Sequence, residues 1–214
     1  MRIRVLIADD HTLVADGLRS LIAAQPDMEA VGQAADGREA VRRALELKPD
    51  VVVMDLTMPE MNGIEAAWAI RAKLDATRIV MVSMHSSPEH VQRALEAGAM
   101  GYLVKRSASR ELIAAIRAVH AGRRFFSEHM AESVIERFVG GDGPRDPLAA
   151  LSARERQVLQ LLVESRSVAE IAHSLSLSPK TVETYRSRLF NKLGIHDLPA
   201  LVRFAIQRGV TPLD

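Results

Sequence analysis

The chain has 214 residues, 48% hydrophobic and 26% charged, proportions that exclude a mainly disordered chain. It has no cysteine, which excludes a disulfide scaffold, a Cys-ligated metal and a thiol nucleophile. Lys and Arg number 28 against 27 Asp and Glu, so any nucleic-acid or membrane signal has to be local.

Short apolar runs predict strands at 3–8, 51–54, 79–82 and 102–104, with a weaker one at 29–34. Apolar spacing of three to four residues predicts helices over 12–24, 37–47, 63–74, 88–97 and 108–121. Asp36-Gly-Arg-Glu39 has the capping-box pattern, and Ser87-Pro88 reads as a cap with Pro at the first helical position. Strand and helix alternate five times, which predicts a parallel sheet covered on both faces. The apolar run before Asp9-Asp10 is too short for a signal-peptide core, and no stretch approaches the ~20 apolar residues that span a bilayer. The expectation is a soluble, cytoplasmic protein with no membrane partner.

Met130, Val134, Phe138 and Val139 predict an amphipathic linker helix over 125–139. Residues 140–147, Gly-Gly-Asp-Gly-Pro-Arg-Asp-Pro, hold neither helix nor strand and read as a linker. Beyond it the pattern is all helical, over 152–164, 167–174, 178–192 and 197–208. Ser152-Ala-Arg-Glu155 and Ser167-Val-Ala-Glu170 are capping-box signatures. The short connection between the second and third of these helices is a helix-turn-helix turn. Residues 147–214 carry 9 basic and 6 acidic side chains, so this piece is the mildly basic one.

In an open parallel sheet, ligands sit at the carboxyl ends of the strands. There the sequence places Asp9 and Asp10, Asp55, Ser83 and Lys105. Three carboxylates repel one another unless a cation neutralises them, and a hard ion such as Mg²⁺ takes oxygen ligands. A carboxylate can attack phosphorus, and phosphoryl transfer needs mainly positioning and charge neutralisation. In the helix 178–192, Val182, Tyr185 and Leu189 form an apolar stripe. The opposite face carries Lys180, Glu183, Thr184, Ser187, Arg188 and Lys192, residues suited to phosphates and base edges.

Residues 1–122 resemble the receiver domain of bacterial two-component response regulators. The resemblance rests on Ile7-Ala8-Asp9-Asp10-His11, Asp55-Leu-Thr-Met-Pro59 with Gly63, Val82-Ser83 and Gly98-Ala-Met-Gly101-Tyr-Leu-Val-Lys105. It implies an α/β flavodoxin-like (βα)5 fold with strand two at an edge. It implies that Asp55 accepts a phosphoryl group from a histidine kinase, with Lys105 and Ser83 contacting that group. Asp9, Asp10, Asp55 and the Thr57 carbonyl would hold Mg²⁺, and Ser83 with Tyr102 would be a switch pair drawn inward by phosphorylation. Thr57 and His85 would flank the path of a hydrolysing water.

Residues 148–214 resemble the LuxR-type (NarL/FixJ-like) helix-turn-helix domain, an all-α four-helix unit. Leu151-Ser-Ala-Arg-Glu155, Glu170-Ile-Ala172, Thr181-Val182, Tyr185 and Lys192-Leu193-Gly194 carry the match. Members usually have Gly where Ser165 stands. The resemblance implies double-stranded promoter DNA as partner, read by Lys180, Thr181, Glu183, Thr184, Ser187, Arg188 and Lys192. It implies a homodimer on activation, paired through the last helix with its Leu198, Leu201, Val202 and Ala205, and RNA polymerase as a further partner. The expected domains are 1–122, a linker at 123–147, and 148–214.

The combined reading is a phosphorylation-regulated transcription factor and not an enzyme. One alternative is a receiver-type assembly module that acts without phosphorylation. A dinucleotide-binding enzyme is disfavoured because no Gly-x-Gly-x-x-Gly follows strand one. A further alternative is a phosphatase using an Asp nucleophile. Such enzymes place nucleophile and acid/base two residues apart after strand one, whereas Asp9 and Asp10 are adjacent here.

Overall fold

In the computed structural model the described residues are 2–84, 86–127 and 147–211. The chain divides into two compact units, residues 1–142 and 143–214. The linker helix and Gly/Pro-rich segment expected within 123–147 fall mostly outside the described residues.

The first unit has strands β1 Ile3–Ala8, β2 Met28–Ala34, β3 Val51–Asp55, β4 Arg78–Ser83, β5 Gly101–Val104 and β6 Phe125–Phe126. They form one sheet in the order β2-β1-β3-β4-β5-β6, with every pair parallel. The helices are α1 Thr12–Ala23, α2 Gly37–Leu47, α3 Gly63–Arg71, α4 Pro88–Glu96 and α5 Lys105–His120.

Alternation along each strand sorts the core into two layers. Val5, Ile7, Val51, Val53, Val80 and Leu103 face α1 and α5, meeting Leu18, Ile22, Leu112, Ile116 and Val119. Leu6, Val52, Met54, Ile79, Met81 and Tyr102 meet Ala40 and Ala44 of α2, Ala67 and Ile70 of α3 and Val91 and Ala94 of α4. All five residues of β3 are buried, as a central strand covered on both faces requires.

The sixth strand was not among the predicted elements. Two residues are too few for a periodic signal, and Phe125-Phe126 reads equally as the start of a helix. Helix α5 begins at Lys105, three residues before the predicted start, because Lys105 follows β5 directly and Val104 occupies the cap position. Two caps also differ from expectation. Asp36 caps α2 through the Glu39 N–H, but the Glu39 carboxylate reaches past Asp36 to the Ala35 N–H. Ser87 makes no side-chain cap bond, since its Oγ lies 2.6 Å from His90 Nδ1.

The second unit starts with a 3-10 turn, Pro147–Ala150, followed by α6 Ala153–Val163, α7 Val168–Leu175, α8 Pro179–Leu193 and α9 Leu198–Gln207. Ser152 and Ser167 both close full capping boxes with Glu155 and Glu170. Ser178 accepts from the Thr181 N–H and caps α8. Val158, Leu159, Leu161, Ile171, Val182, Leu189, Leu201 and Ala205 form the core.

Helix α6 ends in a Schellman turn: Arg166 N–H donates to Leu161 O and Ser165 N–H to Leu162 O. Ser165 holds the left-handed position at φ 60°, where a Cβ is strained. Ser165→Gly is therefore expected to stabilise this unit by about 1 kcal/mol. Slower hydrogen exchange of the buried α6 and α8 amides would register it. Unchanged exchange would mean that Ser pays no strain there.

Candidate functional site

Asp9 follows β1, Asp55 ends β3, Ser83 ends β4 and Lys105 follows β5, so parallel strands bring all four to one edge of the sheet. Lys105 Nζ lies 2.6 Å from Asp55 Oδ2 and 2.9 Å from Asp9 Oδ2. Asp9 and Asp55 are each only 4% exposed. Asp55 Oδ1 accepts the Thr57 N–H at 3.3 Å, and Asp9 Oδ1 accepts the His11 N–H at 2.9 Å. Asp10 is half-buried at the rim, its Oδ1 2.9 Å from His11 Nδ1.

Two buried carboxylates thus flank one ammonium in a largely desolvated crevice, with Asp10 at its rim. Burial is the largest influence on Asp55 and raises its pKa; Lys105 opposes it, Asp9 adds to it, and the result is about 6. Burial alone would lower the pKa of Lys105, but Asp55 and Asp9 together hold it above the ordinary lysine value. The two directions agree, because the ammonium sees two carboxylates while Asp55 sees one ammonium and one carboxylate. Ligand atoms of Asp9, Asp10, His11 and Asp55 all lie within 4.8 Å of one another, a donor set rich in oxygen that suits a hard divalent cation. His11 was not among the expected site residues. Its position directly after the Asp pair, at the N-cap of α1, was the signal available.

Ser83 and Tyr102 are both fully buried. Burial pushes the Tyr102 hydroxyl up to about 12, against a hydrogen bond shared with Ser83. The two side chains therefore meet inside the sheet's buried layer. His85 lies outside the described residues.

Between β3 and α3 the chain turns sharply. Gly63 N–H donates to Leu56 O at 2.8 Å, and Asn62 caps α3 through the Glu65 N–H. Asp55 is thereby fixed from both the strand and the helix that follows.

In the second unit, Ser176-Leu177-Ser178 joins α7 to α8, and Ser176 adopts the left-handed conformation that ends α7. Val182 and Leu189 of α8 are fully buried, and Tyr185 is half-buried. Lys180, Glu183, Thr184, Ser187 and Arg188 are exposed on its other side, and Thr181 is half-buried. Asn191, one turn beyond Ser187, is exposed on the same side.

Not all of these side chains point away from the domain. Thr184 Oγ1 donates back to Lys180 O at 2.9 Å, and Thr181 Oγ1 pairs with Ser178 Oγ at 2.8 Å. Arg186 lies 3.5 Å from Glu183 and stacks over the Phe190 ring at 5.9 Å. Lys192, expected to face DNA, places Nζ 2.6 Å from Oε2 of the buried Glu155. The pair links the end of α8 to the start of α6, with the Lys192 side chain itself 42% exposed. In α9, Leu201 and Ala205 belong to the core, Val202 is half-buried and Leu198 is 44% exposed. Among the described residues no helix is long and apolar enough to cross a membrane.

An acidic crevice at the carboxyl edge of a parallel sheet, followed by a helix-turn-helix, defines a signal receiver joined to a DNA-binding output. The model of the response regulator receiver domain matches residues 5–117, and that of the bacterial regulatory proteins of the luxR family matches 149–205. The chain is 36% identical to the response regulator UvrY of Escherichia coli (strain K12) over 208 residues, covering 97% of this chain and 95% of that protein. A LuxR-family response regulator from Aurantimonas sp. SI85-9A1 is similar at 43% identity with a TM-score of 0.62, over 65% of this chain and 99% of that one. The response regulator RcsB, solved as a complex with DNA, is similar at 26% identity with a TM-score of 0.61, over 97% and 99%. The chain belongs to the two-component response regulators that carry a LuxR-type DNA-binding domain.

Proposed function

We propose that the protein is a transcription factor switched by phosphorylation of Asp55. The observation that carries this reading is the Lys105 ammonium between Asp55 and Asp9, at 2.6 and 2.9 Å, in a crevice whose carboxylates outnumber it. A carboxylate oxygen of Asp55 attacks phosphorus. The bond from phosphorus to the leaving group breaks, and that group, the imidazole nitrogen of a kinase phosphohistidine, keeps the electron pair. Lys105 offsets the charge of the phosphoryl oxygens, and the Ser83 hydroxyl donates to one of them. Asp9, Asp10, Asp55 and the Thr57 carbonyl would hold Mg²⁺. Once bound, the ion supplies the remaining neutralisation of those oxygens.

The receiver spans residues 1–122 and the output 148–214. The output binds promoter DNA as a homodimer through the exposed face of α8, with α9 as the pairing helix, in the cytoplasm and together with RNA polymerase. The solved complex of the similar RcsB with DNA supports DNA binding by the output. Lys180→Ala and Arg188→Ala should each weaken DNA binding and reduce the slope of log affinity against log salt by about 1. An unchanged slope in both would remove α8 as the phosphate-contacting helix.

The intact mass after incubation with acetyl phosphate and Mg²⁺ tests the acceptor. The wild type should gain one phosphoryl group and Asp55→Asn none. No gain in the wild type would favour an assembly module that works without phosphorylation. The same variant has a second expected outcome. The folded-state pKa of Asp55 lies above its unfolded value of 3.8, so the buried carboxylate destabilises the metal-free receiver increasingly as pH rises from about 4 to about 6. In EDTA at pH 7, Asp55→Asn should therefore be more stable than the wild type by about 2 kcal/mol, and Mg²⁺ should narrow the gap. Urea unfolding measures both.

A further inference from the structure

Strand β6 and the residue after it touch the switch region at three points. Phe125 and Phe126 pair with Gly101 and Tyr102 of β5. Phe125 N–H donates to Met100 O at 3.0 Å, and Ser127 N–H to Tyr102 O at 3.1 Å. Where the backbone ladder stops, the Ser127 side chain extends it by one step. Its Oγ accepts the Val104 N–H at 3.2 Å. Ser127 is 2% exposed and is the last described residue before position 147.

The hydroxyl proton of Ser127 goes to Glu111 Oε2 on α5. Ser107 Oγ lies 3.0 Å from the same carboxylate oxygen, 3.1 Å from Ser127 Oγ and 3.1 Å from Val104 O. Each serine has one proton to donate, and the shared anion orients both. Val104 caps α5, and the next residue is Lys105, whose Nζ contacts Asp55. Ser127 therefore grips the backbone on both sides of Leu103, at the carbonyl of the switch tyrosine and at the amide preceding the pocket lysine. It lies ten residues beyond residue 117, where the match to the receiver family model ends.

We propose that Ser127, with Ser107 and Glu111, is a positioning relay that couples the Asp55 pocket to the chain leaving β6. The relay rests on the phosphoacceptor reading. It is a positioning role, since none of the three serves as a contact to the reacting atoms. A change in the Lys105–Asp55 contact moves the β5–α5 junction, and Ser127 converts that movement into tighter or looser seating of β6. In sequence, β6 and Ser127 are the last described part of the receiver before the output unit, so the relay carries the pocket state to the residue from which the chain continues.

Hydrogen exchange of the full chain, with and without beryllofluoride and Mg²⁺ as a phosphoryl mimic, separates the possibilities. In the wild type the mimic should slow exchange at the loops around Asp55 and Lys105, and also at Phe125 and Ser127 by about tenfold. In Ser127→Ala the pocket loops should still respond while the β6 response disappears. Glu111→Gln keeps an acceptor, removes the charge and sits on a half-buried helix position, so it tests the relay even if Ser127→Ala loosens β6 outright. It should lose most of the β6 response with the pocket response intact. A β6 response equal to wild type in both variants overturns the relay, as does a wild-type pocket response with none at β6. No response at the pocket itself overturns the phosphoacceptor reading, and the relay with it.

Discussion

Glu155→Ala should destabilise the DNA-binding unit by about 3 kcal/mol. The Glu155 side chain is 3% exposed, and its Oε2 accepts from Lys192 Nζ at 2.6 Å and from the Ser152 N–H at 2.7 Å. Truncation leaves an unpaired amide at the start of α6, removes the Lys192–Glu155 ion pair between α8 and α6, and opens space beside the core. Burial opposes ionisation of Glu155, but hydrogen bonds from Lys192 and from the amide and hydroxyl of Ser152 outweigh it and hold the pKa below the usual value. A depressed carboxylate stabilises the fold above its unfolded pKa, near 4.5, and that contribution is lost as pH falls below this value. Glu155→Gln should flatten that part of the stability–pH curve.

The same pair separates two roles for Lys192. As a phosphate contact, its replacement by Ala would lower the salt slope of DNA binding by about 1 with little effect on stability. As a clamp, it would leave the slope unchanged, destabilise the unit and weaken DNA binding at every salt concentration, because α8 is no longer held at its angle to α6. The 2.6 Å contact favours the clamp. DNA titrations at several salt concentrations, set beside urea unfolding of Lys192→Ala, decide between the two.

Lys192 also marks where sequence reasoning ended. Asp9, Asp55 and Lys105 were legible because each closes an apolar run, and strands of a parallel sheet all end at one edge. The buried stripe of α8 was legible from Val182, Tyr185 and Leu189 at helical spacing. The partner of Lys192 was not, because Glu155 is 37 residues away and its capping-box signature already accounted for it. Periodicity assigns a residue to a face and says nothing of what a long side chain reaches at the margin of that face. The Ser127 network was hidden for a related reason. Serine carries no pattern, and its two-residue strand gives no period. Only the pairing of β6 with β5 brings it to Val104.

Gly63→Ala should cost the receiver about 3 kcal/mol, at the upper end for adding one carbon to a filled site. A Cβ at Gly63 would stand 2.1 Å from the Asp55 carbonyl oxygen, 3.0 Å from its carbon and 3.1 Å from Leu56 Cα. All three are backbone atoms and cannot rotate away. The glycine is required by close approach, since α3 starts directly against the end of β3. Relief of the overlap has to move either the first turn of α3 or the backbone of Asp55, and the latter displaces the carboxylate from Lys105. The rate of phosphorylation by acetyl phosphate should therefore fall at least tenfold, beyond what the loss of folded protein explains. Gly17→Ala is the control. Nothing lies within 4 Å of its Cβ, and in the interior of α1 it should stabilise the receiver by about 0.5–1 kcal/mol. If Gly63→Ala folds as stably as the wild type but is phosphorylated slowly, the displacement has fallen on Asp55. If it is destabilised yet phosphorylated at the normal rate per folded molecule, α3 has moved instead, and the seat of Asp55 is set by β3 and Lys105 alone.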